Sequence, residues 1–190
     1  MEQFKYKLIL ASKSPRRHQL LKGLGFDFEH HVKEVDETFP GNLKREEIPL
    51  FLCQLKADAF TDEISDNTIV ITADTVVWIG DTVLNKPENK AEAKRMLQML
   101  SGNRHEVITA VCLKSKQKQK VFFSVTEVYF KKLSEKEIDY YLNKYEPYDK
   151  AGAYGAQEWI GYIAIEKIIG SYFNVMGLPV KELYEELMKM

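Results

Sequence analysis

Asp74 is the residue in this chain with the clearest chemical potential. Six β-branched or small residues, Thr68-Ile69-Val70-Ile71-Thr72-Ala73, lead into it, and Thr75-Val76-Val77 follow. A carboxylate at the end of a buried strand needs a cationic partner, a metal or a solvated ligand site. The ordinary alternative is an Asp that caps a turn. A second chemical feature is Ser12-Lys13-Ser14-Pro15-Arg16-Arg17, where an apolar run gives way to two serines, a proline and two arginines. This pattern predicts a strand delivering the chain to a helix N-terminus, whose free N–H groups and partial positive charge suit an anion. Arginine adds planar, bidentate phosphate recognition. By itself the motif can equally be a helix start, with Ser14 as cap and Pro15 at the first helical position.

Other residues gain meaning from these two. Lys86, in Asn85-Lys86-Pro87, follows a hairpin signal at Gly80-Asp81, and strand pairing then brings it beside Asp74. Glu34, Asp36 and Glu37 form an acidic loop; one of them facing Asp74 would complete an oxygen-ligand site for Mg²⁺, while solvated carboxylates are the commoner outcome. In Asp149-Lys150-Ala151-Gly152-Ala153-Tyr154-Gly155-Ala156-Gln157, small residues let backbone approach a ligand, and the Gln157 amide offers a donor and an acceptor that match the edge of a pyrimidine. The same stretch could simply be a tight loop over a sheet.

The elements that must carry these residues follow from periodicity and punctuation. Strands are predicted at 7–11, 26–29, 68–79, 82–84, 106–114, 121–131 and 161–166. Helices are predicted at 15–24 (stopped by Gly25), 45–60 (containing Lys56), 90–100 (capped by Asn89), from the Ser134/Glu137 capping box to about 144, and 179–190. Strands and helices intermix throughout, so the class is α/β.

With 190 residues, 45% apolar and 29% charged, the chain fits one soluble domain, or one domain folded as two lobes. A net charge of −1 argues against general nucleic-acid or membrane-surface binding. No signal peptide or membrane span is visible, and Cys53 and Cys112 lack metal or redox spacing, which favours buried thiols in the cytoplasm. The four histidines form no metal pattern, and no Walker loop, G-x-S-x-G or H-E-x-x-H occurs.

Taken together, Ser12–Arg17, Ala73-Asp74-Thr75-Val76-Val77, Lys86-Pro87, Asp149–Gln157 and Gly170–Pro179 resemble, in order, the motifs of the Maf family of nucleoside triphosphate pyrophosphatases. The resemblance spans Leu8 to Pro179. It implies a mixed, elongated β-sheet flanked by helices, two lobes around a deep cleft as in inosine-triphosphatase-like proteins, and a homodimer. The implied reaction splits a nucleoside triphosphate into monophosphate and pyrophosphate with a divalent cation, Mg²⁺ or Mn²⁺. By position, Asp74 matches the proton acceptor; Glu37, Lys56 and Lys86 match catalytic-pocket residues, with Asp74 and Glu37 toward the metal. Ser12, Ser14 and Arg16 fall in the phosphate motif. Arg17, Thr75 and Gln157 match the trio of the dTTP/UTP subfamily. Glu158-Trp159 departs from the small or less bulky residues common after that glutamine. Two rivals stay open: a nucleotide-binding regulator of cell division with little hydrolysis, and a purine-directed pyrophosphatase.

Overall fold

The computed structural model describes residues 5–190. β1 (Lys7–Leu10), α1 (Pro15–Gly23) and β2 (Phe28–His30) form a βαβ crossover, with Leu8 opposite Phe28 in a parallel ladder. α2 (Glu47–Asp58) precedes β3 (Thr68–Ile79), which pairs in parallel with β1 from Lys7↔Thr68 to Leu10↔Ile71. β4 (Thr82–Leu84) returns antiparallel to β3 around Gly80, whose φ of 57° needs no strain in glycine. Next come α3 (Lys90–Leu100), β5 (Arg104–Lys114), β6 (Gln119–Phe130), α4 (Glu135–Tyr145), a 3₁₀ turn at Ala151–Ala153, α5 (Trp159–Ala164), β7 (Ile165–Ile169), α6 (Tyr172–Val175) and α7 (Val180–Leu187). The strands form one mixed sheet in the order β2-β1-β3-β5-β6-β7, with β4 on β3. This is the expected α/β class, a mixed sheet flanked by helices.

Contacts divide the chain into two compact units. The first comprises residues up to Asp74, Thr109–Ser124 and Gly177–Met190; the second comprises Thr75–Ile108 and Val125–Met176. Within the first, Cys53 and Ala57 of α2 pack on Ala110 and Cys112 of β5, and Ala11 and Val70 pack with Phe60 and Ile64. Both cysteines are free and buried. Within the second, Met96, Leu97 and Leu100 of α3 meet Ile138, Tyr141 and Leu142 of α4 over Val107 and Val128 of the sheet.

One predicted element is corrected. The strand expected at 161–166 begins as a helix: Gly161 and Tyr162 amides both donate to the Glu158 carbonyl, and β7 starts only at Ile165. A run as short as Gly161-Tyr162-Ile163-Ala164-Ile165 has no period that separates a short helix from a strand. Among the described residues, no helix is long and apolar enough to cross a membrane.

Candidate active site

The parallel ladder of β1 and β3 ends at Leu10↔Ile71, whereas β3 continues to Ile79, so Asp74 lies within the strand rather than at its end as expected, just past the point where β1 stops. Past the end of β1, the Ala11 amide still donates to the Ile71 carbonyl at 2.9 Å, so Ser12 enters its turn alongside Thr72 to Asp74. Ser12 is buried, and its Oγ accepts from the Ser14 amide at 3.2 Å and from Arg17 Nη1 at 3.3 Å. Ser14 caps α1, accepting from the Arg17 amide, and Pro15 takes the first helical position. The motif is therefore a capped helix start whose following residues Arg16 and Arg17 put two guanidinium groups in the first turn.

Arg17 turns inward. Its Nε donates to the Gly177 carbonyl and its Nη1 to the Ala73 carbonyl, each at 2.8 Å. Burial pushes this guanidinium below its ordinary value, and the nearby Asp74 carboxylate opposes that shift. His18, one turn along from Ser14, donates through Nε2 to the Ser12 carbonyl at 2.7 Å.

Asp74 sits on β3 with its side chain only 12% exposed. Two residues earlier on the same face, Thr72 Oγ1 donates to the Cys53 carbonyl of α2 at 2.6 Å. Lys56 lies one helical turn beyond Cys53, so that bond brings its ammonium to the strand. Lys56 Nζ contacts Asp74 Oδ1 at 2.6 Å and Glu37 Oε2 at 2.8 Å. The acidic loop is thereby sorted: Glu34 pairs with Lys13 at 2.8 Å, Asp36 accepts from Thr38, and Glu37 faces Lys56.

Of the residues singled out in the sequence, Ser12, Ser14, Arg16, Arg17, Glu37, Lys56 and Asp74 lie in the first unit. Thr75, Lys86 and Gln157 lie in the second. The ladder expected to carry Lys86 forms as far as Val77↔Leu84, and Lys86 follows two residues later, exposed. Its neighbour Asn85 accepts from the Gly152 amide at 3.2 Å, joining this turn to the small-residue loop. In that loop the Gln157 Oε1 is buried and makes no hydrogen bond among the described residues. Thr72 and His18 support the site without having been singled out, whereas the Gly177 carbonyl belongs to the Gly170–Pro179 motif. Only the two-residue spacing of Thr72 from Asp74 carried a signal.

Among the described residues no group of three or more His, Cys, Asp or Glu side chains could hold a metal. Asp74 and Glu37 nevertheless converge on one positive charge. Two carboxylates are a donor set that suits Mg²⁺, which completes its shell with water and phosphate oxygens.

The family model for Maf-like proteins matches residues 7–190. A dTTP/UTP pyrophosphatase of Phocaeicola vulgatus is 53% identical over 187 residues, covering 98% of this chain and 97% of the relative. That of Parabacteroides distasonis is 53% identical over 184 residues, covering 96% and 95%, and that of Flavobacterium johnsoniae is 51% identical over 183, covering 96% and 94%. The solved structure of the Ham1 protein of Staphylococcus aureus has a TM-score of 0.52 at 17% identity, covering 95% of this chain and 99% of that one, which is a likeness of fold. The chain belongs to the Maf family.

Proposed function

We propose that this chain hydrolyses dTTP and UTP to the nucleoside monophosphate and pyrophosphate by attack of water at the α-phosphorus. The observation that carries this reading is the Asp74–Lys56–Glu37 arrangement, with Arg17 of the first turn of α1 bonded to the Ala73 carbonyl beside it. Phosphate oxygens are received by the α1 N-terminus and Arg16. Lys56 orients Asp74, and Asp74 takes the proton from the attacking water. Lys56 and Lys86 then oppose the negative charge that develops on the leaving pyrophosphate. Asp74 and Glu37 are the residues that would hold a divalent cation, Mg²⁺ or Mn²⁺. Such an ion, when bound, would neutralise charge on the phosphate oxygens. Gln157 reads the pyrimidine edge through its amide, and Thr75 shapes the same selection. The names of relatives at 50% identity or more support this substrate choice. The two buried thiols accord with a reducing compartment, the cytoplasm, and the family resemblance favours a homodimer.

Pyrophosphate release from a panel of pyrimidine and purine triphosphates, with and without Mg²⁺ or Mn²⁺, tests this reading. Release from dTTP and UTP that depends on the cation is expected. No release from either would defeat it.

A further inference from the structure

Immediately after Gln157 stand Glu158 and Trp159, and both dock onto α4. Trp159 packs edge-to-face on Tyr140 with ring centroids 4.7 Å apart. The Tyr141 hydroxyl donates to Glu158 Oε2 and accepts from the Gly155 amide at 3.1 Å. The other carboxylate oxygen, Glu158 Oε1, meets Lys150 Nζ at 3.0 Å. Lys150 is itself buried, and it also pairs with Asp149 at 2.6 Å. Glu158 thus joins the start of the small-residue loop, through Lys150, to its end, through Tyr141 and Gly155. Burial and the carboxylate push the Tyr141 hydroxyl well above its ordinary value, so it keeps the proton that it donates. Its ring is fully buried in the core of the second unit, so the anchor itself is fixed.

The bracket leaves little freedom to the residue between its ends. A Cβ built on Gly155 would lie 2.8 Å from Glu158 Cδ and 3.1 Å from Gln157 Nε2, so both side chains lie directly over that glycine. The Glu158 amide closes the turn by donating to the Gly155 carbonyl at 3.0 Å. We propose that Glu158 is a positioning residue for base selection: by bridging Lys150 and Tyr141 it fixes the loop and so sets where the Gln157 amide presents its donor and acceptor. This rests on the assignment of Gln157 to the pyrimidine edge. The two carboxylate oxygens of Glu158 are taken up by Lys150 and Tyr141, so it acts through the loop.

The test uses the full chain and two variants, Glu158→Gln, which removes the charge facing Lys150, and Tyr141→Phe, which removes only the hydroxyl. The second keeps the ring in the core, so it serves if the first leaves Lys150 too poorly paired to fold. Backbone amide exchange at Gly155 and Gln157 is expected to accelerate about tenfold or more. The KM for dTTP is expected to rise about tenfold with kcat within about twofold, because contacts to the base are made equally in ground and transition states. The preference for dTTP over dGTP falls with it. Exchange that is unchanged in both variants overturns the bracket. Faster exchange with unchanged KM and preference overturns the positioning role. If the unsubstituted enzyme releases no pyrophosphate from dTTP or UTP, the pyrophosphatase reading fails instead, and the exchange rates still decide the bracket.

Discussion

At the scale of single residues, the site depends on charges placed against one another rather than on one exceptional group. Asp74 and Glu37 share the Lys56 ammonium, and Asp74 is the more enclosed of the two carboxylates. Asp74→Asn keeps the shape of the side chain and removes the base. We expect kcat to fall at least about 100-fold, with dTTP still bound when measured by equilibrium dialysis; near-normal turnover would take Asp74 out of the catalytic role. Arg17 carries a different expectation. It was assigned to substrate selection by its position in the motif, yet its guanidinium donates to the Ala73 and Gly177 carbonyls. Ala73 precedes Asp74, so Arg17 steadies the stretch of β3 that presents the carboxylate. A lysine ammonium cannot reproduce this planar fork. Arg17→Lys is expected to lower stability in urea by about 1.5–3 kcal/mol, the range for a hydrogen bond to a charged group, and to lower kcat for dTTP and UTP alike. Altered base preference at unchanged stability would place Arg17 against the substrate instead.

At the scale of elements, polar punctuation was what made the fold legible. Ser14 with Pro15, Asn89, and the Ser134/Glu137 capping box each mark a helix start that the structure contains, because a side-chain oxygen at that point meets an otherwise unpaired amide. The hairpin at Gly80-Asp81 was legible for a related reason, the positive φ at Gly80. Apolar runs without such marks were not. The α5–β7 junction was misread as strand, and β2 starts at Phe28 rather than Phe26. Within the site, Asp74 stood out as a charge in a β-branched run. The partnership of Lys56 with Asp74 did not, since it depends on α2 lying against β3 through the Thr72–Cys53 bond. Only the family resemblance pointed to Lys56. The misread junction gives a prediction. A Cβ on Gly161 would fall 1.9 Å from the Ala156 carbonyl oxygen, whereas one on Gly23, at the end of α1, meets nothing within 4 Å. Gly161→Ala should therefore destabilise by about 3 kcal/mol, the upper range for overpacking. Gly23→Ala should be neutral or stabilise by up to about 1 kcal/mol through helix propensity. Denaturant midpoints of the two variants check this, and equal midpoints would contradict the close approach of α5 to Ala156.

For the molecule as a whole, acid stability is set in two stages by groups of different kinds. Glu29, Glu34, Glu135, Glu137 and Glu186 each accept from a lysine, which holds them below the ordinary carboxylate value. Whatever they contribute is fully present above that value and is lost only as pH falls through the depressed one. Exposed pairs of this kind contribute little individually. His105 acts earlier. It is 1% exposed, its Nε2 is 2.8 Å from the Tyr154 hydroxyl, and the rings of Phe130 and Tyr154 enclose it at 5.0 and 5.4 Å. Burial pushes its pKa down to about 3, and its buried Nδ1 makes no hydrogen bond among the described residues, so charging the ring would create a second N–H with no acceptor. The unfolded chain takes up this proton near its ordinary value of 6.5, whereas the folded one does so only near 3. The unfolded state is therefore the more protonated throughout that window. Stability is complete above 6.5 and declines on acidification by up to about 1.4 kcal/mol per pH unit from this one group. Urea unfolding at pH 7, 6 and 5 should show that decline before the glutamates begin to titrate. His105→Gln, which keeps a hydrogen-bonding group toward Tyr154 without a titrating ring, should flatten the profile between pH 6 and 5. An unsubstituted protein whose stability is already flat over that interval would mean that His105 can charge without unfolding, and that its enclosure by Phe130 and Tyr154 opens readily to water.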